Sequence, residues 1–222
     1  MSKNFKKTND ELVESYEKFI QTLSKVFTGE RLQKLLNMYS HQELGGELVV
    51  APASGKDHFH SAYPGGYIDH VLNVVKNAYK MKKLYEDVGI TADFTDEELL
   101  FAAFHHDLGK LGLKDSPHYV PETSEWHIKN QGSKFKLNGA NHYMDVTHRA
   151  LWLLNQYDIK YTEKEMLGIM LADGLYNEGT KSYYISYSTE TRLKTDLPYI
   201  LHWADHMSCR QEYKQWLDLN KK

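Results

Sequence analysis

The sequence predicts a mainly helical chain with one small β-hairpin, and three observations carry that prediction. Apolar residues recur at intervals of three and four in segment after segment. Three of these segments open on a Thr-x-x-Glu capping box, at Thr8, Thr95 and Thr162. A single stretch, around Asn130-Gln131-Gly132-Ser133, has alternating apolar residues on both sides of a turn.

Met1 to Lys7 are polar and basic and read as a frayed terminus. From Asn9, the set Leu12, Tyr16, Phe19, Ile20, Leu23, Val26 and Phe27 makes an amphipathic helix, with Gly29 as its stop. Leu32, Leu35, Leu36 and Met38 predict a second, short helix. Gly45-Gly46, Pro52, Gly55 and Pro64-Gly65-Gly66 then punctuate an irregular approach that contains His58 and His60. A third helix starts near Gly66, carries Ile68, Val71, Leu72, Val75, Ala78 and Tyr79, holds His70 in its first turns and ends before Gly89. The box at Thr95 and Glu98 opens the apolar run Leu99 to Phe104, which delivers His105-His106-Asp107-Leu108-Gly109-Lys110 at a helix C-terminus, with Gly109 placed to end it.

Trp126 and Ile128 on one side of the turn, and Phe135 and Leu137 on the other, predict the hairpin. Helices are expected again from Asn141 to about Tyr157 and from Thr162 to about Ala172. Gly174 to Thr195 reads as an irregular, tyrosine-bearing excursion. A last helix opens on Asp196 as N-cap and presents Leu197, Ile200, Leu201, Ala204, Met207 and Ser208, with Asp205 among them.

Thirty acidic against 27 basic side chains give a formal charge of -3, which supplies no bulk attraction to long nucleic acid or an anionic membrane. One cysteine, Cys209, excludes an intramolecular disulfide, and no apolar run is long enough for a signal peptide or membrane helix; a soluble, cytoplasmic protein is expected. Among twelve histidines only spacing singles any out. His70, His106, Asp107 and Asp205, drawn from three helices, make a coherent nitrogen and oxygen donor set that suits Mn²⁺, Fe²⁺, Co²⁺, Ni²⁺, Zn²⁺ or, less easily, Mg²⁺. Adjacent helical side chains diverge by about 100°, so His106 and Asp107 share a ligand only beyond the helix edge. On residue types alone, this site and a satisfied core histidine beside surface acids stay equally open.

The order His70, then His106-Asp107, then Asp205 in a terminal helix resembles the signature of the HD-domain superfamily of metal-dependent phosphohydrolases. The segment from His60 to His70, His-Ser-Ala-Tyr-Pro-Gly-Gly-Tyr-Ile-Asp-His, is similar to the His-x-Ala-Tyr-x-Gly-Gly-Leu-x-Glu-His of bacterial 3′-5′ exoribonucleases in that superfamily. His106 to Lys110 resembles their His-Asp-Ile-Gly-Lys, and Leu201-His202-Trp203-Ala204-Asp205 their closing helix. Small HD proteins of tailed bacteriophages are similar too, over roughly Asp57 to Arg210. The resemblance implies an HD fold in a single domain over residues 1–222, with 1–56 as a helical extension and 57–216 as the core.

It also implies hydrolysis of a phosphoester of a nucleotide or deoxynucleotide, with His70, His106, Asp107 and Asp205 as metal ligands and one ion rather than two. Some members of the superfamily hold a second ion on extra histidines between the motif and the final aspartate, for which the resemblance makes His142 and His148 the candidates; His142, Asp145 and Arg149 would share a helical stripe with His148 beside it. Asp107 and Lys110 are the expected catalytic pair, Lys110 stabilising phosphate charge. His60, His148 and Asp173 are candidate substrate contacts; His105 should turn away from the metal. Lys110 stands where HD 5′-nucleotidases carry an acid, which encourages the alternative of a phosphodiesterase or 3′-5′ exonuclease on short single-stranded nucleic acid or cyclic nucleotides. Against that alternative, the first fifty residues are too few and too helical for the OB-type module of the exoribonucleases, and no Gly-Tyr-Pro triplet marks a cyclic-dinucleotide phosphodiesterase. A silent nucleotide-binding regulatory module is the reading of another class. Tyr183, Tyr184, Tyr187 and Trp126 are candidates for base stacking, Lys129, Lys134 and Lys136 for a basic hairpin face, and Cys209 reads as core filler.

Overall fold

The computed structural model describes residues 6–220. It is mainly helical, with two small antiparallel pairs of strands. The expectation of a frayed end for Met1 to Phe5 lies outside the described residues. Lys7, grouped with them, is held: its Nζ lies 2.6 Å from Asp69 and 2.7 Å from Ser15 Oγ.

The chain begins with α1 (Asn9–Val26), α2 (Gly29–Met38) and α3 (Gly45–Val50). The Thr8 box caps α1 as expected, but α1 ends three residues before Gly29, which opens α2 instead. Helix α3 falls in the approach read as irregular; Leu44 and Leu48, one turn apart, are both buried and anchor it. Phe19 meets Tyr39 and Phe104 edge to face, and Phe27 meets Phe101 in the same way, so the first two helices share one core with the helix that carries the central motif.

Three helices position the chemistry. Helix α4 (Gly66–Asp87) is the central one, and α5 (Asp96–His105) and α10 (Leu197–Asn220) pack against it. Gly65 adopts a left-handed φ of +80° before α4, and a Cβ at Gly66 would lie 2.0 Å from the Ser61 carbonyl oxygen, so the Gly-Gly pair lets the 57–63 loop fold onto the start of α4. That close approach lays His60 against His70. The Thr95 box caps α5. Asp196 stands at the N-cap position of α10, its carbonyl accepting from Ile200, while its carboxylate takes the Tyr85 hydroxyl.

After α5 a 3₁₀ turn, Leu108–Leu111, leads into β1 (Gly112–Leu113) and β2 (Ser116–Pro117), then β3 (Tyr119–Pro121), α6 (Glu125–Gln131) and β4 (Phe135–Leu137). The expected hairpin is present with a different first strand: β4 pairs with β3, Val120 opposite Lys136, while Trp126 and Ile128 sit on α6. Helix α6 buries none of its residues, so a period-of-two pattern there reported no buried face. Helix α7 (Val146–Gln156) starts five residues later than predicted, with Asp145 as N-cap. Helix α8 (Glu163–Met170) starts on the Thr162 box, and α9 (Glu178–Ile185) occupies part of the expected irregular excursion. Among the described residues no helix is long and apolar enough to cross a membrane.

One buried ion pair ties α2 to α8. Glu165, fully buried, accepts from Arg31 Nη2 at 2.7 Å and from its own Thr162 cap, while Arg31 lies over the Phe101 ring at 3.9 Å. Burial raises the Glu165 pKa, and Arg31 opposes that rise. Because the folded value exceeds the unfolded one, charge on Glu165 costs stability as pH rises, and Arg31 offsets that cost. Arg31→Ala is therefore expected to destabilise the fold by about 3 kcal/mol at pH 7 and by progressively less as pH falls through the raised Glu165 pKa toward the ordinary glutamate range, where Glu165 is protonated. Urea unfolding at both pH values checks this; equal losses would contradict it.

Candidate metal centre

The adjacent residues His106 and Asp107 reach one point because the helix stops between them. His106, the C-cap of α5, keeps a helical φ of -55° and ψ of -37°, and Asp107 turns to φ -104°, ψ 7° to lead into the 3₁₀ turn. Gly109 does not end the helix as expected; it lies inside that turn, where a Cβ would stand 2.1 Å from the Val146 carbonyl oxygen. Close packing of α7 on the turn thus fixes the direction of Asp107.

The four residues converge. His70 Nε2 lies 3.2 Å from Asp205 Oδ1 and 3.5 Å from Asp107 Oδ2, and His106 Nε2 lies 3.5 Å from the same Asp107 oxygen and 3.9 Å from Asp205 Oδ1. Both imidazoles are held from behind. His106 Nδ1 faces the Ala103 carbonyl at 2.9 Å, and His70 Nδ1 faces the Glu212 carboxylate at 3.2 Å. With Nδ1–H donating backwards, Nε2 is the nitrogen each ring turns to the cluster, and a cation that displaces its proton meets the tautomer a metal-binding histidine uses. His106 Nε2 is sealed from solvent and has no hydrogen-bond partner, a costly arrangement unless a cation takes its lone pair.

The electrostatics favour positive charge at this point. Although burial opposes it, Glu212 and Asp205 hold His70 above the ordinary histidine range. Burial would raise both Asp107 and Asp205, yet Lys110 and the two histidines hold Asp107 down, and His70, His106 and Lys110 hold Asp205 down. Lys110 Nζ lies 2.6 Å from Asp107 Oδ2 with most of its side chain covered, and the pairing keeps it protonated despite burial. The ligand atoms of His70, His106 and Asp205 all lie within 4.8 Å of one another, and Asp107 Oδ2 stands 3.5 Å from both imidazole Nε2 atoms; nitrogen and carboxylate donors of this kind suit a divalent cation such as Mn²⁺, Co²⁺, Fe²⁺, Ni²⁺ or Zn²⁺.

The remaining predicted residues divide. His60 is inside the cluster: its ring centroid is 4.6 Å from that of His70, and burial first, then the His70 and Lys110 charges, pull its pKa down to about 3. Asp173 is solvent-accessible at the edge of the site, where packing and the charges of Asp107 and Asp205 raise its pKa. His105 turns away as expected, its Nδ1 on the Phe101 carbonyl at 2.6 Å and its ring among Phe27, Tyr39 and Phe101. His142 and His148 join no metal-ligand group among the described residues. Because α7 begins at Val146, His142 precedes it and no stripe with Asp145 and Arg149 forms; His142 contributes its carbonyl to Arg149, and the exposed His148 is paired with its own N-cap, Asp145.

Nor is there a shared basic hairpin face: Lys129 pairs with Glu125, Lys134 with Asp57, and Lys136 with Thr123 and Glu122. Of the stacking candidates, Tyr184 is core, its hydroxyl donating to the Leu171 carbonyl at 2.6 Å; Trp126, Tyr183 and Tyr187 are exposed.

Two participants escaped sequence reasoning. Glu212 is buried on α10, seven residues after Asp205, and also accepts from Ser61 Oγ at 2.9 Å and Asn73 Nδ2 at 3.0 Å. The two-turn spacing from Asp205 is the signal that would have found it. His118, between β2 and β3, lies near Lys110, Asp107 and Arg149; burial, then the Arg149 and Lys110 charges, lower its pKa to about 4. No periodicity marks it, since it arrives through the reversal of the β1–β2 pair.

Glu212→Gln is expected to weaken Mn²⁺ affinity by about 10- to 100-fold, the usual consequence of losing the carboxylate behind a ligating histidine. Isothermal titration checks this, and unchanged affinity would remove Glu212 from the site. In comparison with known proteins, no family model matches the chain, and no curated protein or solved structure matches it.

Proposed function

We propose that the chain is an HD-type metal-dependent phosphohydrolase acting on a nucleotide or deoxynucleotide. One observation supports the reading: two back-tethered imidazoles and two carboxylates converge beside a covered ammonium, the arrangement a cation with a neighbouring phosphate would need. When bound, a divalent ion in such a set polarises a phosphoryl oxygen and lowers the pKa of coordinated water toward about 7.

The chain's own residues would do the rest. His70, His106, Asp107 and Asp205 hold the ion, and Glu212 and the Ala103 carbonyl keep the imidazoles aimed. Lys110 places its ammonium where charge builds on the phosphate, anchored by Asp107 so that little reorganisation is needed. Arg149, buried in α7, spends one Nη on the His142 carbonyl and leaves Nε without a partner, and its charge is felt at His118. Lys110, Arg149 and neutral His118 therefore supply donors for an anionic substrate on one side of the cluster, and Asp173 borders it.

The test is hydrolysis across nucleoside mono-, di- and triphosphates with Mn²⁺, Co²⁺ or Mg²⁺, alongside end-labelled oligonucleotides. Phosphate release from a nucleotide supports the reading. Mononucleotide release from oligonucleotides would move it to a phosphodiesterase, and turnover of nothing, with nucleotide still bound, to a regulatory module.

A further inference from the structure

We infer that His60, His70 and Cys209 form a second, thiophilic cation site that overlaps the first and competes with it for His70. The ligand atoms of these three residues all lie within 4.8 Å of one another. Cys209 Sγ is 3.5 Å from His60 Nδ1 and 3.6 Å from Asp205 Oδ1. Donors around one tetrahedral ion, at roughly 2.0–2.3 Å from it, stand about 3.5 Å apart, so the sulfur and the first imidazole already have that spacing.

His60 Nε2 is sealed from solvent without a partner, and neither nitrogen of this ring meets a carboxylate or carbonyl, unlike those of His70 and His106. Its one polar neighbour through Nδ1 is a thiol, a weak partner for a buried imidazole.

The placement follows from α10. Asp205 and Cys209 are one turn apart on one helix face, so the donors change from carboxylate to sulfur over a single turn. Sulfur selects soft cations such as Zn²⁺, Cu⁺ or Cd²⁺, whereas carboxylates serve Mn²⁺ and Mg²⁺. Burial, then the charges of Asp205 and Glu212, push the Cys209 thiol up, so the sulfur stays protonated until a cation offsets that negative charge. Occupation breaks the S–H bond, forms a thiolate–cation bond and passes the proton to solvent. Since Glu212 holds His70 Nδ1, His70 has one nitrogen to give, and the two sites exclude each other. This competition rests on the metal centre proposed above; thiophilic binding itself does not.

Cadmium is the probe, because the thiolate-to-cadmium absorption in the ultraviolet reports on the sulfur alone and the chain holds one cysteine. Titration of the full chain is expected to give a band that saturates at one Cd²⁺ per chain, disappears in Cys209→Ser and needs at least about tenfold more Cd²⁺ in His60→Ala, the least that losing even an outer-shell partner costs. No band in the wild type, or an unshifted titration in His60→Ala, would overturn the site. Excess Mn²⁺ should raise the Cd²⁺ needed for half-saturation; Mn²⁺ seen bound by its magnetic resonance signal without that effect would overturn the shared ligand. Failure of Mn²⁺ to bind at all would instead count against the phosphohydrolase centre, with the cadmium band deciding the thiophilic one.

Discussion

Asp107→Ala is expected to leave a folded protein that no longer holds a stoichiometric divalent cation. Asp107 Oδ2 is the one atom that faces both imidazole Nε2 atoms and the Lys110 ammonium, at 3.5, 3.5 and 2.6 Å. Removing it deletes a donor and also strands the ammonium: Lys110 would then stand unpaired beside two histidines, and its charge would repel an incoming cation. Both effects act in one direction. Bound metal by elemental analysis should fall below about one tenth of the wild-type value, with hydrolysis falling in proportion, because deprotonated ligands and a preformed site set the affinity. Circular dichroism should be unchanged, since the side chain belongs to a 3₁₀ turn whose backbone is held by the packing of Gly109 on Val146. Wild-type metal content in the variant would refute the ligand assignment.

Lys110→Met separates charge stabilisation from metal binding. The methionine stem preserves the apolar part of the lysine, and Asp107 loses a competitor for its oxygen, so metal content should be kept or rise. On the proposed function a phosphate substrate would lose its nearest fixed ammonium, and kcat is expected to fall by about 10²- to 10³-fold, the range found for removing one preorganised donor from a developing anion. Steady-state kinetics with saturating Mn²⁺ checks this, with metal content measured on the same sample. An unchanged kcat would limit Lys110 to neutralising Asp107.

Most of the helical frame was legible because local chemistry and burial agree there. The boxes at Thr8, Thr95 and Thr162 each close in both directions, and the apolar residues behind them enter one core. The reading failed where pattern and burial part. Trp126 and Ile128 alternate like a strand but belong to a short helix that buries neither, and the strand opposite β4 comes from Tyr119–Pro121, whose two apolar positions carry too little periodicity to read. Leu44 and Leu48 were obscured by the glycines that follow Leu44.

In the site, His70, His106, Asp107 and Asp205 were chosen by their order along the chain, and the fold brings their donor atoms together. How neighbouring His106 and Asp107 face one point was not legible, because it depends on a helix ending under tertiary contact with α7. For the same reason His142 and His148 were misplaced: extending α7 back to Asn141 creates a stripe that the Asp145 cap forbids. His118 and the orphaned Arg149 Nε belong to a corner assembled from a strand pair and a helix, and no single segment announces it.

One divalent cation is expected between α4, α5 and α10. Anomalous diffraction from crystals grown with Mn²⁺ measures this most directly. One strong peak is expected about 2.0–2.3 Å from Nε2 of His70, Nε2 of His106 and carboxylate oxygens of Asp107 and Asp205. A peak held by other residues, or no peak at a Mn²⁺ concentration that supports hydrolysis, would contradict it.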